Sequence, residues 1–130
     1  MDSTFKKDER LKSSQAIQDL LKQGQSLSLF PIKIYWKIMV DNDQKFPVRA
    51  AIAVPKKKFR RAVDRNLMKR RIRESYRKNK HTLYESLNAS GLKVDMLILF
   101  LADDFVPYEK IDQQVRNILL KLLVNIEKCD

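Results

Sequence analysis

Two segments in the first half of the chain place an apolar side chain at every second position, and this period restricts the fold to one built on a β-sheet. Residues 32–40 follow the pattern, with Lys33, Tyr35 and Lys37 at the alternate positions, and residues 48–54 repeat it. Because successive side chains of a strand point to opposite faces, each strand has one buried face and one more open face. The segments therefore predict a sheet that is covered mainly on one side.

Three helices are expected around this sheet. The first has Ser14 as its candidate N-cap and ends at Gly24, since glycine suits the position just past a helix. A long second helix ends at residues 88–91. Pro107 opens a third helix, whose apolar residues recur with helical period. Those residues are Ile111, Val115, Ile118, Leu119, Leu122 and Ile126.

The predicted order is helix, strand, strand, helix, strand, helix, with room for a short extra strand between Gly24 and Phe30. The helices cover residues 13–23 (or 14–23), about 61–87, and 107 onward, and the apolar run at residues 94–101 predicts a central strand. This order predicts an α/β (α+β) two-layer sandwich of the type αββ(β)αβα. A chain of 130 residues is expected to form one domain over residues 1–130.

The charge of the chain is concentrated in one segment. The net charge is +11, and residues 56–80 alone hold thirteen Lys and Arg against two acids. The other 105 residues hold fourteen bases and fourteen acids, so the whole excess lies in that segment. A field of this kind attracts polyanions, which indicates a nucleic acid or an anionic membrane surface as the partner.

On a helix, the basic residues of this segment form one stripe with the apolar residues nearly opposite. The stripe comprises Asn66, Arg70, Arg73 and Arg77, with Lys69 and Lys80 at its flanks. The apolar side comprises Met68, Ile72 and Leu83, with Tyr76 near them. A solvated surface is the simplest interpretation of a charged run. However, adjacent like charges destabilise a helix by a few tenths of a kcal/mol per pair, and a polyanionic partner would remove that cost.

Few residues in the chain suit catalysis or metal binding. His81 is the single histidine and has no assignable partner, and there is no glycine-rich phosphate loop. We assign no catalytic residue and no metal ligand. A single cysteine, Cys129, and a polar N-terminal segment without a signal peptide predict a reducing cytoplasm. The longest apolar run, residues 96–102, is too short to span a bilayer.

The basic segment resembles the signature of the bacterial ribonuclease P protein family. That signature is a strand ending in Val-x-Lys-Lys, followed by Ala-Val-x-Arg-Asn-Arg-x-Lys-Arg-x-x-Arg on a helix. Here it reads Val54-Pro55-Lys56-Lys57, then Ala62-Val63, Arg65-Asn66, Lys69-Arg70 and Arg73. The likeness extends from Arg10 to the final amphipathic helix, so it covers most of the chain.

The resemblance implies a fold and a function. The fold is the ribosomal protein S5 domain 2-like sandwich, with a left-handed βαβ crossover that departs from the usual right-handed rule. Family members bind a large catalytic RNA and promote removal of the 5′ leader from precursor tRNA. The RNA performs the hydrolysis with Mg²⁺, which it mainly holds itself. No membrane and no obligate protein partner are expected.

The resemblance and the stripe together give two sets of candidate residues. The RNA-binding set is Lys56, Lys57, Arg65, Asn66, Lys69, Arg70, Arg73 and Arg77. The set for a cleft that holds the single-stranded leader, between the first helix and the open sheet face, is Ile17, Leu21, Phe30, Lys33 and Tyr35. Tyr35 also stands out independently, because an aromatic residue between two lysines suits single-stranded nucleic acid.

The chain departs from the family pattern at three places. Ile17 and Leu21 stand where the family often has aromatic residues, so base stacking is expected to be weaker there. Leu67 replaces the second arginine of the Arg-Asn-Arg motif. One extra residue lies between Lys57 and Ala62.

Three other functions remain open at this stage. A non-enzymatic ribosomal or RNP-assembly protein would explain the charge and fold equally well. A duplex-DNA reader is less favoured, because the stripe lacks the variety of side chains that reads base edges. A peripheral membrane protein is less favoured because the basic helix buries its apolar residues and has none to insert.

Overall fold

The computed structural model describes residues 5–39, 45–57 and 59–128, so Val40 and Cys129 lie outside the described residues. Within these ranges the predicted order is confirmed, except that the second helix is divided in two. The helices are α1 (Ser14–Gln23), α2 (Ala62–Asn79), α3 (His81–Ser90) and α4 (Tyr108–Lys128). The strands are β1 (Gln25–Leu29), β2 (Ile32–Met39), β3 (Val48–Ala53) and β4 (Lys93–Phe100). The extra strand expected before Phe30 is β1.

The four strands form one mixed sheet in the order β1–β2–β4–β3. β1 and β2 are antiparallel, as are β2 and β4, whereas β3 and β4 are parallel. The apolar strand β4 therefore lies inside the sheet, as predicted. α2 and α3 connect the two parallel strands and form the βαβ crossover, which the resemblance implies to be left-handed. That handedness stays a prediction.

One face of the sheet carries the main hydrophobic core. Ile34 and Trp36 of β2 and Ile98 of β4 are essentially inaccessible to solvent and pack with residues of α2 and α4. All six apolar positions predicted for the last helix are buried there. Burial of each large apolar side chain contributes roughly 1.5–3 kcal/mol. The two-layer α/β architecture is therefore confirmed, with Trp36 in the core.

The other face of the sheet is covered only in part by the described residues. There α1 packs on β2 and β4 through a small cluster of Leu11, Leu20 and Leu97. Because paired strand positions share a face, the register Tyr35–Leu97–Ala51 places these three side chains on this side. We call this side the open face.

Local contacts define the two ends of α1. Ser13, rather than the predicted Ser14, is its N-cap, because the Ser13 hydroxyl accepts a hydrogen bond from the Ala16 amide at 3.2 Å. A side chain at Gly24 would not fit, since its Cβ would lie 2.5 Å from the Leu20 carbonyl oxygen and 3.1 Å from that of Trp36. The end of α1 and β2 therefore approach each other backbone to backbone.

Lys80 separates α2 from α3 and carries a buried charge. Its Nζ lies 2.5 Å from a carboxylate oxygen of Glu9, and the two side chains are only 2% and 1% exposed. The other Glu9 oxygen accepts a hydrogen bond from the Lys6 amide at 2.6 Å. The prediction that Lys80 flanks the exposed stripe is therefore wrong, because the ion pair holds its ammonium group in the interior.

Candidate nucleic-acid interface

The exposed side of α2 forms what we call the basic helix face, which consists of Asn66, Lys69, Arg70, Arg73 and Arg77. On the opposite side of the same helix, Met68, Ile72 and Tyr76 are completely buried in the core. The predicted division of this helix between a core side and a cationic side is thus observed. Leu83, which was expected to extend the apolar side, is buried as part of α3.

Most of the charge on this face is not neutralised within the described part of the chain. Arg70 and Arg73 are exposed and form no hydrogen bond or ion pair with any described residue. Arg77 differs, because its Nε and Nη2 donate to the Glu74 carboxylate at 3.1 and 2.5 Å. The hydrogen bond from Arg77 lowers the pKa of Glu74, which therefore stays ionised. One carboxylate thus offsets one of the stripe arginines.

Polar contacts on the inner side of α2 fix its position against α4. The Asp112 carboxylate accepts hydrogen bonds from the Ser75 hydroxyl at 2.7 Å and from the Asn79 amide at 2.9 Å. Burial raises the pKa of Asp112, but the hydrogen bonds from Ser75 and Asn79 outweigh this and leave it lowered. Arg71 donates to the Val106 carbonyl oxygen at 2.7 Å. The buried side of α2 is therefore attached by hydrogen bonds to α4 and to the segment that precedes α4.

The segment before α2 carries the candidate lysines Lys56 and Lys57, and both are exposed. Arg65 braces this segment, because its Nη1 donates to the carbonyl oxygens of Phe59 at 2.8 Å and Arg60 at 2.9 Å. One nitrogen of the guanidinium is therefore engaged in holding the segment that contains the extra residue. The lysines follow the end of β3 where, by register, β4 ends and β2 begins.

The region of the open face where α1 packs on β2 contains most of the second candidate set. We call it the open-face cleft and define it by Ile17 and Leu21 of α1 and Lys33 and Tyr35 of β2. Ile17 and Tyr35 are half-buried against the cluster around Leu97. The Lys33 ammonium lies 4.8 Å from the centre of the Tyr35 ring. Leu21, one helical turn beyond Ile17, is 50% exposed.

Phe30 lies apart from the other cleft candidates. It occupies the turn between β1 and β2 and is 63% exposed. Its carbonyl oxygen accepts a hydrogen bond at 2.9 Å from Gln114 of α4, which packs on the opposite face of the sheet. The structure thus brings together Ile17, Lys33 and Tyr35, with Leu21 exposed one helical turn beyond Ile17, and leaves Phe30 in the turn between β1 and β2.

Sequence reasoning missed an ion pair at the far end of the open face. The guanidinium of Arg49 donates two hydrogen bonds of 2.9 Å to the Asp95 carboxylate, which is almost completely buried. The signal was present, because Asp95 interrupts the apolar run of β4 and Arg49 occupies the facing position on β3. This pair is internally neutral, so the cations that β2 contributes to the open face are Lys33 and Lys37, on either side of Tyr35.

Neither a metal centre nor a membrane span is found in the described ranges. They contain no group of three or more His, Cys, Asp or Glu residues arranged to hold a metal ion. None of the helices described is long and apolar enough to cross a bilayer. The basic helix face and the open-face cleft are the two surfaces that we consider as candidate binding sites.

Comparison with known proteins gives a consistent result. The family model described as Ribonuclease P matches residues 5–123. A ribonuclease P protein component from Porphyromonas gingivalis is 26% identical over 120 residues, covering 92% of this chain and 87% of the relative. The Chlorobaculum tepidum protein component is 37% identical over 92 residues, covering 66% and 60% of the two chains.

Solved structures show the same likeness. The RNase P protein of Staphylococcus aureus aligns with a TM-score of 0.57 at 25% identity, covering 92% of this chain and 95% of that one. The RNase P protein of Thermotoga maritima aligns with a TM-score of 0.64 at 22% identity, covering 85% and 94%. The second comparison supports the fold alone.

Proposed function

Because the chain belongs to the ribonuclease P protein family, we propose that its basic helix face binds the catalytic RNA and its open-face cleft holds the 5′ leader of precursor tRNA. As a member of this family, the chain is a subunit of an endoribonuclease complex that works in 5′ processing of tRNA. Its assignment to the ribosomal or RNP-assembly class is not favoured.

The observation that carries the first half of the proposal is the unneutralised charge of Arg70 and Arg73. An arginine guanidinium donates two parallel hydrogen bonds to a phosphate, and each phosphate so neutralised releases counterions. Asn66 and Lys69 extend the same face, and Lys56 and Lys57 continue it toward the sheet. We therefore assign this surface to the folded RNA subunit, which offers many phosphates in fixed positions.

The open-face cleft suits a single strand better than a folded RNA. Tyr35 offers an aromatic ring to a base, and Lys33, stacked over that ring, offers a charge to the adjoining phosphate. Ile17 and Leu21 give the opposite wall apolar contacts without aromatic stacking. The substrate segment that is single-stranded is the 5′ leader, and we assign it to this cleft.

We propose that Mg²⁺ and the hydrolysis belong to the RNA subunit. Mg²⁺ prefers carboxylate and phosphate oxygens, whereas both candidate surfaces of this chain are cationic and the described residues provide no metal-binding cluster. The contribution of the protein is then to bind and orient the two RNAs. Since precursor tRNA is the substrate, we place the reaction in the cytoplasm, without an obligate protein partner.

Processing of precursor tRNA tests the proposed function. The catalytic RNA of Porphyromonas gingivalis ribonuclease P is transcribed in vitro. It is incubated with precursor tRNA at low Mg²⁺, with and without the purified chain. We expect the chain to stimulate release of the leader, because its cations replace part of the screening that Mg²⁺ supplies. Lys121→Ala, which removes one exposed charge from α4, should stimulate as well as the unaltered chain. Absence of stimulation would favour the RNP-assembly function.

A further inference from the structure

A groove of about 530 Å³ runs along the basic helix face and the start of α4. This volume lies within the range of about 300 to 1,000 Å³ that is usual for sites that take small molecules. Leu67 and Tyr108 provide apolar surface in the groove, and Phe5 lines it as well. Arg70 and Arg73 also line it. The groove therefore combines apolar walls with an unneutralised cationic rim.

The charges in the groove favour an anionic occupant. Four arginines and one carboxylate line it, and that carboxylate, Glu74, is already engaged by Arg77. Arg71 is fixed to the Val106 carbonyl oxygen and acts as a wall. Arg70 and Arg73 thus remain to bind phosphates. An occupant of this site is expected to have a flat apolar part and phosphates on either side.

Tyr108 provides a second apolar surface in the groove. Its hydroxyl oxygen is buried and has no hydrogen-bond partner among the described residues. Because that oxygen has almost no accessible surface, a ligand in the groove meets the ring of Tyr108. A nucleobase has a flat face that can pack on Leu67 and on this ring.

Leu67 gives the groove a character specific to this chain. At this position the Arg-Asn-Arg motif has its second arginine, which would put a fifth guanidinium into the groove. Leu67 is instead partly buried against the core, next to the stripe. The substitution replaces a charge with an apolar surface beside the phosphate-binding arginines.

We propose that this groove takes one unstacked nucleobase of the catalytic RNA, packed on Leu67 and Tyr108, with its flanking phosphates held by Arg70 and Arg73. The inference rests on the proposed function and names a contact within it. Where the Arg-Asn-Arg motif has its second arginine, we therefore expect Leu67 to contact a base instead of a phosphate. Salt dependence separates the two, because only phosphate contacts change the slope of log K against log salt.

The first experiment probes individual nucleotides of the P. gingivalis catalytic RNA, free and saturated with protein. Reagents that modify the base edges of all four nucleotides should find one nucleotide that is protected by the unaltered chain. Leu67→Ala and Tyr108→Ala, which open the groove from different helices, should each restore its reactivity while the neighbouring backbone stays protected from hydroxyl radicals. The matched control is Leu120→Ala, a half-exposed leucine of α4 outside the groove, which should keep the base protected.

The second experiment measures affinity for the same RNA over a range of salt. Leu67→Ala should weaken binding about fivefold to tenfold at every salt concentration with an unchanged slope. Leu67→Arg should steepen the slope by about one unit and expose the base.

The outcomes separate the two levels of the proposal. If the unaltered chain fails to bind the RNA, the proposed function and the base site both fall. If it binds, and no base is selectively released by Leu67→Ala or Tyr108→Ala, the base site alone is refuted. A lower slope in Leu67→Ala would also refute it, since Leu67 would then act by arranging the arginines. Circular dichroism of each variant verifies the fold, and Tyr108→Ala decides the question if Leu67→Ala fails to fold.

Discussion

The basic helix face and the open-face cleft are built on opposite principles. On the helix face, the guanidinium groups of Arg70 and Arg73 are not paired with any described carboxylate. The opposite side of the same helix is completely buried. The cleft is lined by half-buried Ile17 and Tyr35, and its nearest lysine is stacked on the aromatic ring. Binding at the first surface should therefore depend strongly on salt, and binding at the second should depend mainly on contact area. If both surfaces bind RNA as proposed, we expect the two bound RNAs to differ in how strongly salt weakens their binding.

The largest effect is expected on stability, at the buried ion pair between Lys80 and Glu9. Glu9→Gln should lower the free energy of unfolding by about 3–5 kcal/mol, because it removes the Glu9 carboxylate from its ion pair with the buried Lys80 ammonium. Chemical denaturation measures this loss. Asp8→Asn is the matched control, since Asp8 is an exposed acid 3.9 Å from Lys45, and surface pairs contribute about 0–1 kcal/mol. Equal losses in the two variants would contradict the buried pair.

Arg70→Ala should weaken RNA binding at the basic helix face and leave the open-face cleft unchanged. Loss of a charge-assisted hydrogen bond, worth about 1.5–3 kcal/mol, should weaken binding to the catalytic RNA by roughly tenfold or more. The slope of log K against log salt should fall by about one unit. Binding titrations at several salt concentrations measure both, with Lys121→Ala as the control for a simple loss of charge. An unchanged slope would remove Arg70 from the phosphate contacts.

Tyr35→Ala should produce the complementary result. Stacking is worth about 1–3 kcal/mol per base, so the affinity of the RNA–protein complex for precursor tRNA should fall, while that for mature tRNA should not. Affinities for the two tRNAs are compared directly. Tyr35→Phe keeps the ring and should retain most of the discrimination. If Tyr35→Ala weakens both tRNAs equally, Tyr35 does not contact the leader.

The smallest expected effect is a gain. Leu21→Phe introduces an aromatic ring at a half-exposed position of the cleft wall where the family often has one. It should tighten precursor tRNA binding by about fivefold or less, at the lower limit for one stacked base, with no change in salt slope. Leu120→Ala and Leu120→Phe, on α4, control for changes in exposed apolar area. A steeper salt slope in Leu21→Phe would show that the cleft also acts through charge.

Local patterns predicted the features that depend on neighbouring residues. The helical period of Met68, Ile72 and Tyr76 was sufficient to identify which side of α2 is buried, because an apolar side chain gains from burial wherever the core lies. Alternation placed Trp36 inside and Tyr35 on the open face for the same reason. The same helical pattern does not tell how deeply each apolar residue of α1 is buried, since Leu20 is buried whereas Leu21 is half exposed.

Features that depend on distant residues could not be predicted from such patterns. Lys80 would fall beside the stripe on a continuous helix, but it lies between α2 and α3 and pairs in the interior with Glu9, which is far away in the chain. Arg65 lies within the RNA-binding motif, yet one of its nitrogens holds the carbonyl groups of Phe59 and Arg60. Phe30 is an exposed aromatic residue near the cleft in sequence, but its turn is tied to α4.

The close packing at Gly24 bears on which substitutions the neighbouring part of α1 can accept. Gly24 leaves no room for a Cβ between the end of α1 and the Trp36 carbonyl oxygen, and we expect this close approach to fix the spacing of α1 and β2 at that end of the helix. If the leader binds beside α1 as proposed, we expect aliphatic and aromatic groups to be interchangeable at positions 17 and 21 without a change in that spacing.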